Sequence, residues 1–280
     1  VTTSIVLFVG CFVFLAIGSA TCVVIDRLPV ERDEPDEHGD VWGTRPWREV
    51  LRGSSRCPSC GEPVRPYDNV PVASYVVLRG RCRHCGAKID GYHPWVELGA
   101  PVAYALAVWA IGFEWLLLPV LWFVPVALAV TVIDLRTLIV PTRIVWPATA
   151  VTVVLSVVAL GLQGDGWGRL LAALVAVGVL AGALFAVWFV VPAGMGFGDV
   201  RLAVLLGWLV GFYSGEALWG AVVLAVLCLL GASVLGVVLG VVVLGVRGRG
   251  VQMPFGPSLV AAAFVCCLWA DRILEPWGFG

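Results

Sequence analysis

Charge is scarce in this 280-residue chain: Asp, Glu, Lys and Arg make up 13% of it, against roughly 25% in ordinary soluble domains. The formal net charge is only -1, which gives no case for a nucleic-acid partner. Histidine is equally sparse at three residues, and none stands in a pattern that assigns it to catalysis. No glycine-rich strand-turn-helix fingerprint for a dinucleotide is readable. A convincing internal helix repeat, of the kind many transporters carry, is missing too. The opening stretch lacks a basic n-region, and its apolar run over residues 3–25 exceeds a signal-peptide core, so we read it as a retained helix.

What replaces charge is apolar length. Hydrophobic residues reach 60%, and the 13 tryptophans suit anchoring at a membrane interface. After residues 3–25, apolar runs recur at 95–112, 115–133, 144–162, 170–191, 200–212, 217–245 and 257–270. A helix needs about 20 such residues to cross a bilayer. The expected fold class is therefore an all-α polytopic membrane protein of about eight transmembrane helices in contact with the lipid bilayer. The charge that exists is concentrated between the first two runs. This divides the chain into a first helix (1–25), a small polar domain (26–94) and a membrane domain (95–280).

Arginine placement orients those helices. If the first runs inward, the arginines of 26–94 lie on the cytosolic side with Arg136, Arg143, Arg201, Arg247 and Arg249, leaving Arg169 and Arg272 outside. The positive-inside rule favours that arrangement. It also brings Asp134, at the end of one apolar run, and Asp199, at the start of another, to the same face.

Asp199 closes the sequence Gly194-Met195-Gly196-Phe197-Gly198-Asp199. A carboxylate at a membrane helix centre costs roughly 2.5–3.5 kcal/mol on insertion scales, so it must lie near an interface, be paired or bind a proton. The glycines remove side-chain bulk beside it, which would let an extended peptide backbone approach. Two carboxylates brought close from different helices can share one proton, and that is the requirement for aspartyl proteolysis: one activates water, the other protonates the scissile carbonyl. Which aspartate does which stays open at this level. The plainer alternatives are that Asp199 caps the next helix, or that Asp134 pairs with Arg136 or Arg143 and Asp199 with Arg201. A proton-coupled transporter could use the same two aspartates as a relay.

Cys57-Pro58-Ser59-Cys60 and Cys82-Arg83-His84-Cys85 form two Cys-x-x-Cys knuckles. Four thiolates at this spacing can close a tetrahedral Zn site, with Gly61 and Gly86 supplying the turn after each pair. A reducing cytosolic setting favours zinc over disulfides. Four cysteines leave no open position for a catalytic water, so the zinc would be structural. Cys11, Cys22, Cys228, Cys266 and Cys267 lie in apolar runs and read as packed thiols.

In order along the chain stand Gly18-Ser19, Arg27-Leu28-Pro29, the four knuckle cysteines, Asp68-Asn69-Val70-Pro71 with Ser74, and Leu78-Arg79-Gly80-Arg81-Cys82. They are followed by Tyr92, Pro94 and Glu97, Asp134 with Ile139-Val140-Pro141, Gly196-Phe197-Gly198-Asp199, and Pro254-Phe255-Gly256-Pro257. This series resembles the bacterial type IV prepilin peptidases, GxGD intramembrane aspartyl proteases that often also N-methylate their product. The resemblance implies Asp134 and Asp199 as catalytic residues and Gly194, Gly196 and Gly198 as the active-site loop. It implies prepilin or pseudopilin substrates cut at the cytosolic face of the bacterial inner membrane, and S-adenosylmethionine as methyl donor. The chain departs from the family in Ala20-Thr21-Cys22, in Arg201 for a usual lysine, and in Thr142 after the loop proline.

Overall fold

A computed structural model describes residues 2–32, 42–164, 166–192, 195–247 and 254–278. The chain separates into two compact units, Val1–Leu106 and Ala107–Gly280.

The first unit begins with α1 (Thr2–Arg27), followed by a hairpin of β1 (Pro29–Glu31) and β2 (Trp42–Thr44) with Val30 opposite Gly43. A short α2 (Trp47–Val50), a 3-10 turn (Pro66–Asn69) and α3 (Ala73–Val77) precede α4 (Tyr92–Ile111), which runs on past the unit boundary. Small residues let α1 and α4 approach closely: a Cβ on Gly18 would stand 2.9 Å from the Glu97 Cα, and one on Gly10 would fall on the Tyr104 ring. Arg27, in the last turn of α1, donates to the carbonyls of Val50 (3.1 Å), Arg52 (2.9 Å) and Gly53 (3.3 Å). That explains Gly18 and Arg27 in the motif series as residues that join elements. Val72 is held at φ 60°, a conformation that costs a β-branched residue on the order of 1–3 kcal/mol. Its N–H donates to the buried Glu97 carboxylate at 2.7 Å, which holds the turn in place.

The second unit is a bundle of α5 (Leu117–Thr137), α6 (Thr142–Gln163), α7 (Gly168–Val190), α8 (Phe197–Tyr213), α9 (Leu218–Arg247) and α10 (Gly256–Leu274). At its centre is α8, which is apolar all round and buried along nearly its whole length, as that pattern requires. Gly207 and Gly211, one turn apart, press it against α7: Cβ atoms there would lie 2.8 Å from the Val177 Cα and 2.5 Å from the Ala172 carbonyl oxygen. This is the small-residue packing that drives helix association where water supplies no hydrophobic force.

Among the described residues, seven helices are long and apolar enough to cross a membrane. The eighth, α8, has 17 residues, about 25 Å at 1.5 Å per residue and the lower bound for a crossing. The protein is thus an all-α polytopic membrane protein with a small cysteine-bearing module. Its helices outrun the apolar runs: α4 starts at Tyr92 instead of 95, and α5 continues through Asp134 to Thr137. Hydropathy ends a run at the first polar residues, whereas backbone hydrogen bonding carries the helix up to another turn into the polar interface.

Candidate active site

Asp134 lies in the last turn of α5, only 3% exposed. The helix is closed by Leu138, which adopts a left-handed conformation (φ 58°) and donates its N–H to the Asp134 carbonyl at 2.8 Å. The chain then runs through Ile139 and Val140 to Pro141, which precedes α6. The carboxylate is answered from far along the sequence: the Gly256 N–H, at the first position of α10, donates to Asp134 Oδ2 at 3.0 Å. The first N–H groups of a helix have no partner within it, and its dipole favours an anion there. A Cβ at Gly256 would stand 2.6 Å from that same oxygen, so glycine is needed for the approach.

Asp199 lies in the first turn of α8, 9% exposed, with its N–H donating to the Gly196 carbonyl at 3.1 Å. Gly196, not Asp199, occupies the N-cap position, and no side-chain cap is made. The capping alternative therefore does not describe Asp199. Nor does an ion pair with Arg201, whose guanidinium donates to Thr142 Oγ1 at 2.6 Å and lies 4.8 Å over the Phe197 ring. That hydrogen bond ties the start of α8 to the start of α6. Gly198 sits against the α5–α6 connection, where a Cβ would be 2.9 Å from Val140 Cβ. By contrast, among the described residues a Cβ at Gly196 would meet only the Gly198 nitrogen at 3.9 Å. Gly198 thus serves close packing and Gly196 borders open space. Gly194, the remaining residue of the expected loop, lies outside the described residues.

Four helix ends consequently meet at one end of the bundle: the last turn of α5 and the first turns of α6, α8 and α10. Asp134, held against the first turn of α10, and Asp199, in the first turn of α8, thus share that end of the bundle. Two buried carboxylates with one backbone donor and, among the described residues, no cationic partner on either side chain can act together on a peptide carbonyl, one ionised and one protonated. In the sequence Pro254-Phe255-Gly256-Pro257 is only a motif; the fold makes its Gly256 N–H the donor to Asp134.

In the first unit the four knuckle sulfurs all lie within 4.8 Å of one another, with Cys57 Sγ 3.8 Å from Cys85 Sγ. A tetrahedral metal with bonds of about 2.3 Å would set its sulfurs roughly 3.8 Å apart, so the cluster can hold a metal ion. The two knuckles repeat each other. Gly61 N–H returns to the Cys57 carbonyl (2.9 Å) and Gly86 N–H to the Cys82 carbonyl (3.0 Å), with both glycines at positive φ (71° and 73°). Arg56 and Arg81, one residue ahead of each pair, donate to the Gly61 and Gly86 carbonyls (3.0 and 3.2 Å). The backbone N–H groups of Cys60 and Ser59 are aimed at Cys57 and pull its thiol down, while the neighbouring Cys60 thiol is pushed up.

The whole chain has relatives. The Bacterial Peptidase A24 N-terminal domain matches residues 12–111 and the Type IV leader peptidase family residues 121–241. The chain is 32% identical to a prepilin leader peptidase/N-methyltransferase of Pseudomonas aeruginosa, over 96% of this chain and 93% of that one. Proteins of the same description from Pseudomonas putida (33%; 92% and 89% covered) and Legionella pneumophila (28%; 98% and 94%) also match. No solved structure matches. These relatives are enzymes, which sets the transporter alternative aside. The ordered motifs, the paired carboxylates and the near-complete coverage lead to one assignment: the chain belongs to the type IV leader peptidase family.

Proposed function

We propose that this chain is an aspartyl endopeptidase that removes the basic leader of a prepilin or pseudopilin, with Asp134 and Asp199 as the catalytic pair. The observation that carries the reading is the meeting of α5, α8 and α10, where both carboxylates share one end of the bundle and the Gly256 N–H contacts Asp134. The amide at Oδ2 suits an ionised acceptor, so Asp134 takes the base's part and Asp199 the acid's. Asp134 accepts a proton from water as its oxygen bonds to the scissile carbonyl carbon, and Asp199 protonates the carbonyl oxygen. On collapse the C–N bond breaks, the amine leaves with the proton from Asp134, and Asp199 regains its own from the diol. The open side of Gly196 offers the substrate backbone a path to the pair. Replacement of either aspartate by asparagine tests the assignment, with prepilin cleavage as readout.

The arginine distribution supports placing the catalytic end and the cysteine module at the cytosolic face of the bacterial inner membrane. It also supports the division into a first helix (1–25), a module (26–94) and a peptidase domain (95–280). Zinc is the metal that four thiolates at this spacing select. Elemental analysis of the purified protein should find about one zinc per chain, falling toward zero in Cys57→Ser/Cys82→Ser. Less than about a tenth of an equivalent in the intact protein would reject the site on the same four-ligand argument.

The relatives' description extends the proposal to N-methylation of the new N-terminus, with S-adenosylmethionine as donor. The described residues bring together no recognisable set for its adenosine or methionine groups. Mass spectrometry of pilin processed with added S-adenosylmethionine should show a single methyl increment on the N-terminal residue. An unmodified product from active enzyme restricts the chain to peptidase activity.

A further inference from the structure

We infer that residues 70–78 of the first unit, including α3, form an interfacial anchor that seats the cysteine module in the lipid bilayer. The occupant of their exposed apolar face is lipid.

Depth is the first argument. The Val72 N–H reaches the Glu97 carboxylate, and Glu97 is the sixth residue of α4, about 7.5 Å along the helix at 1.5 Å per residue. Beside it packs Gly18 of α1, nine residues before Arg27 and so about 14 Å inside that helix by the same rise. Both helices are apolar enough to cross a membrane. A segment fastened to them at this level therefore lies in or below the headgroup layer.

Surface chemistry agrees. From Val70 to Leu78 the only polar side chains are Ser74 and Tyr75. The Ser74 hydroxyl returns to the Val70 carbonyl, and the Tyr75 ring packs over Gly80. Val76 and Val77 point outward, 67% and 74% exposed, and Trp95 in the first turn of α4 is 77% exposed. In water this would be an unusual concentration of bare apolar surface; against lipid it is what a membrane-facing segment presents. The backbone is prepared for a dry setting as well. The N–H groups of Val72, Ser74, Val76, Leu78 and Gly80 are all answered within the unit, which is the condition for non-helical chain at membrane depth. Exposed Arg79 follows the segment directly, placed as a side chain that reaches phosphates would be, while Arg65 before it donates to the Tyr67 hydroxyl.

A fluorescent non-canonical amino acid at Val77, with a second probe at Val76 and a reference at exposed Glu62 of the first knuckle, tests this in full-length protein. The protein is reconstituted in nanodiscs with or without brominated acyl chains. Emission at both valines should fall about twofold or more with bromination while that at Glu62 is unchanged, as for a segment buried at the acyl boundary. Emission at both valines that ignores bromination overturns the inference. So does shielding that arises only when a prepilin peptide is added, which would reassign the face to substrate. The readout is independent of catalysis and of the two aspartates.

Discussion

Asp134→Asn and Asp199→Asn are each expected to reduce prepilin cleavage by about 10⁴-fold or to background while the protein remains inserted, because each removes one half of a proton exchange that the other half cannot perform alone. Asparagine matches the shape of aspartate and still accepts a hydrogen bond through its carbonyl, so the Gly256 contact can survive in Asp134→Asn. A loss then reports chemistry and not collapse. The double variant should be no worse than either single one, since residues acting as a unit are not additive. In the intact enzyme the rate should pass through a maximum with pH, falling at low pH as both carboxylates become protonated and at high pH as both ionise. Substantial cleavage by either inserted asparagine variant would sink the assignment.

Much of this architecture is legible without coordinates, for identifiable reasons. Membrane helices announce themselves because lipid leaves a backbone few other ways to satisfy its polar groups, so α1 and α4 to α10 follow the apolar runs. The knuckles are equally plain, since Cys-x-x-Cys-Gly encodes a tight local turn at both 57–61 and 82–86. Helix ends are less so: nothing in Leu135-Arg136-Thr137-Leu138 marks Leu138 as the left-handed residue that closes α5. Long-range partners are hidden altogether. The Gly256–Asp134 contact spans 122 residues, and Val72–Glu97 depends on a strained turn whose sequence reads as an ordinary loop. The three glycines before Asp199 look equivalent as letters, yet Gly198 is closed against Val140 while Gly196 stands open. Sequence registers that bulk is missing there; only the fold tells what occupies the vacated space.

That distinction makes Gly256→Ala the second variant with a large expected effect. Its added methyl would begin 2.6 Å from Asp134 Oδ2, well inside van der Waals contact. The atom that must yield is the end of a side chain, not backbone, so the clash can be relieved by turning the carboxylate away. Stability should change little and the protein should insert normally. Catalysis should suffer, because the same rotation breaks the 3.0 Å hydrogen bond and displaces the proposed base by a substantial fraction of an ångström. Misplacement on that scale costs on the order of 10²-fold in rate. The loss should fall on kcat with KM nearly kept, since the substrate path beside Gly196 is untouched. Gly196→Ala is the complementary change: among the described residues its methyl meets no side chain and would intrude only when a peptide backbone is present, so KM should rise while kcat largely holds. Steady-state cleavage of a prepilin peptide by the two variants separates these outcomes. Should Gly256→Ala cleave with wild-type kcat, the Gly256 N–H does not position Asp134, and the assignment of base to Asp134 and acid to Asp199 loses its physical ground.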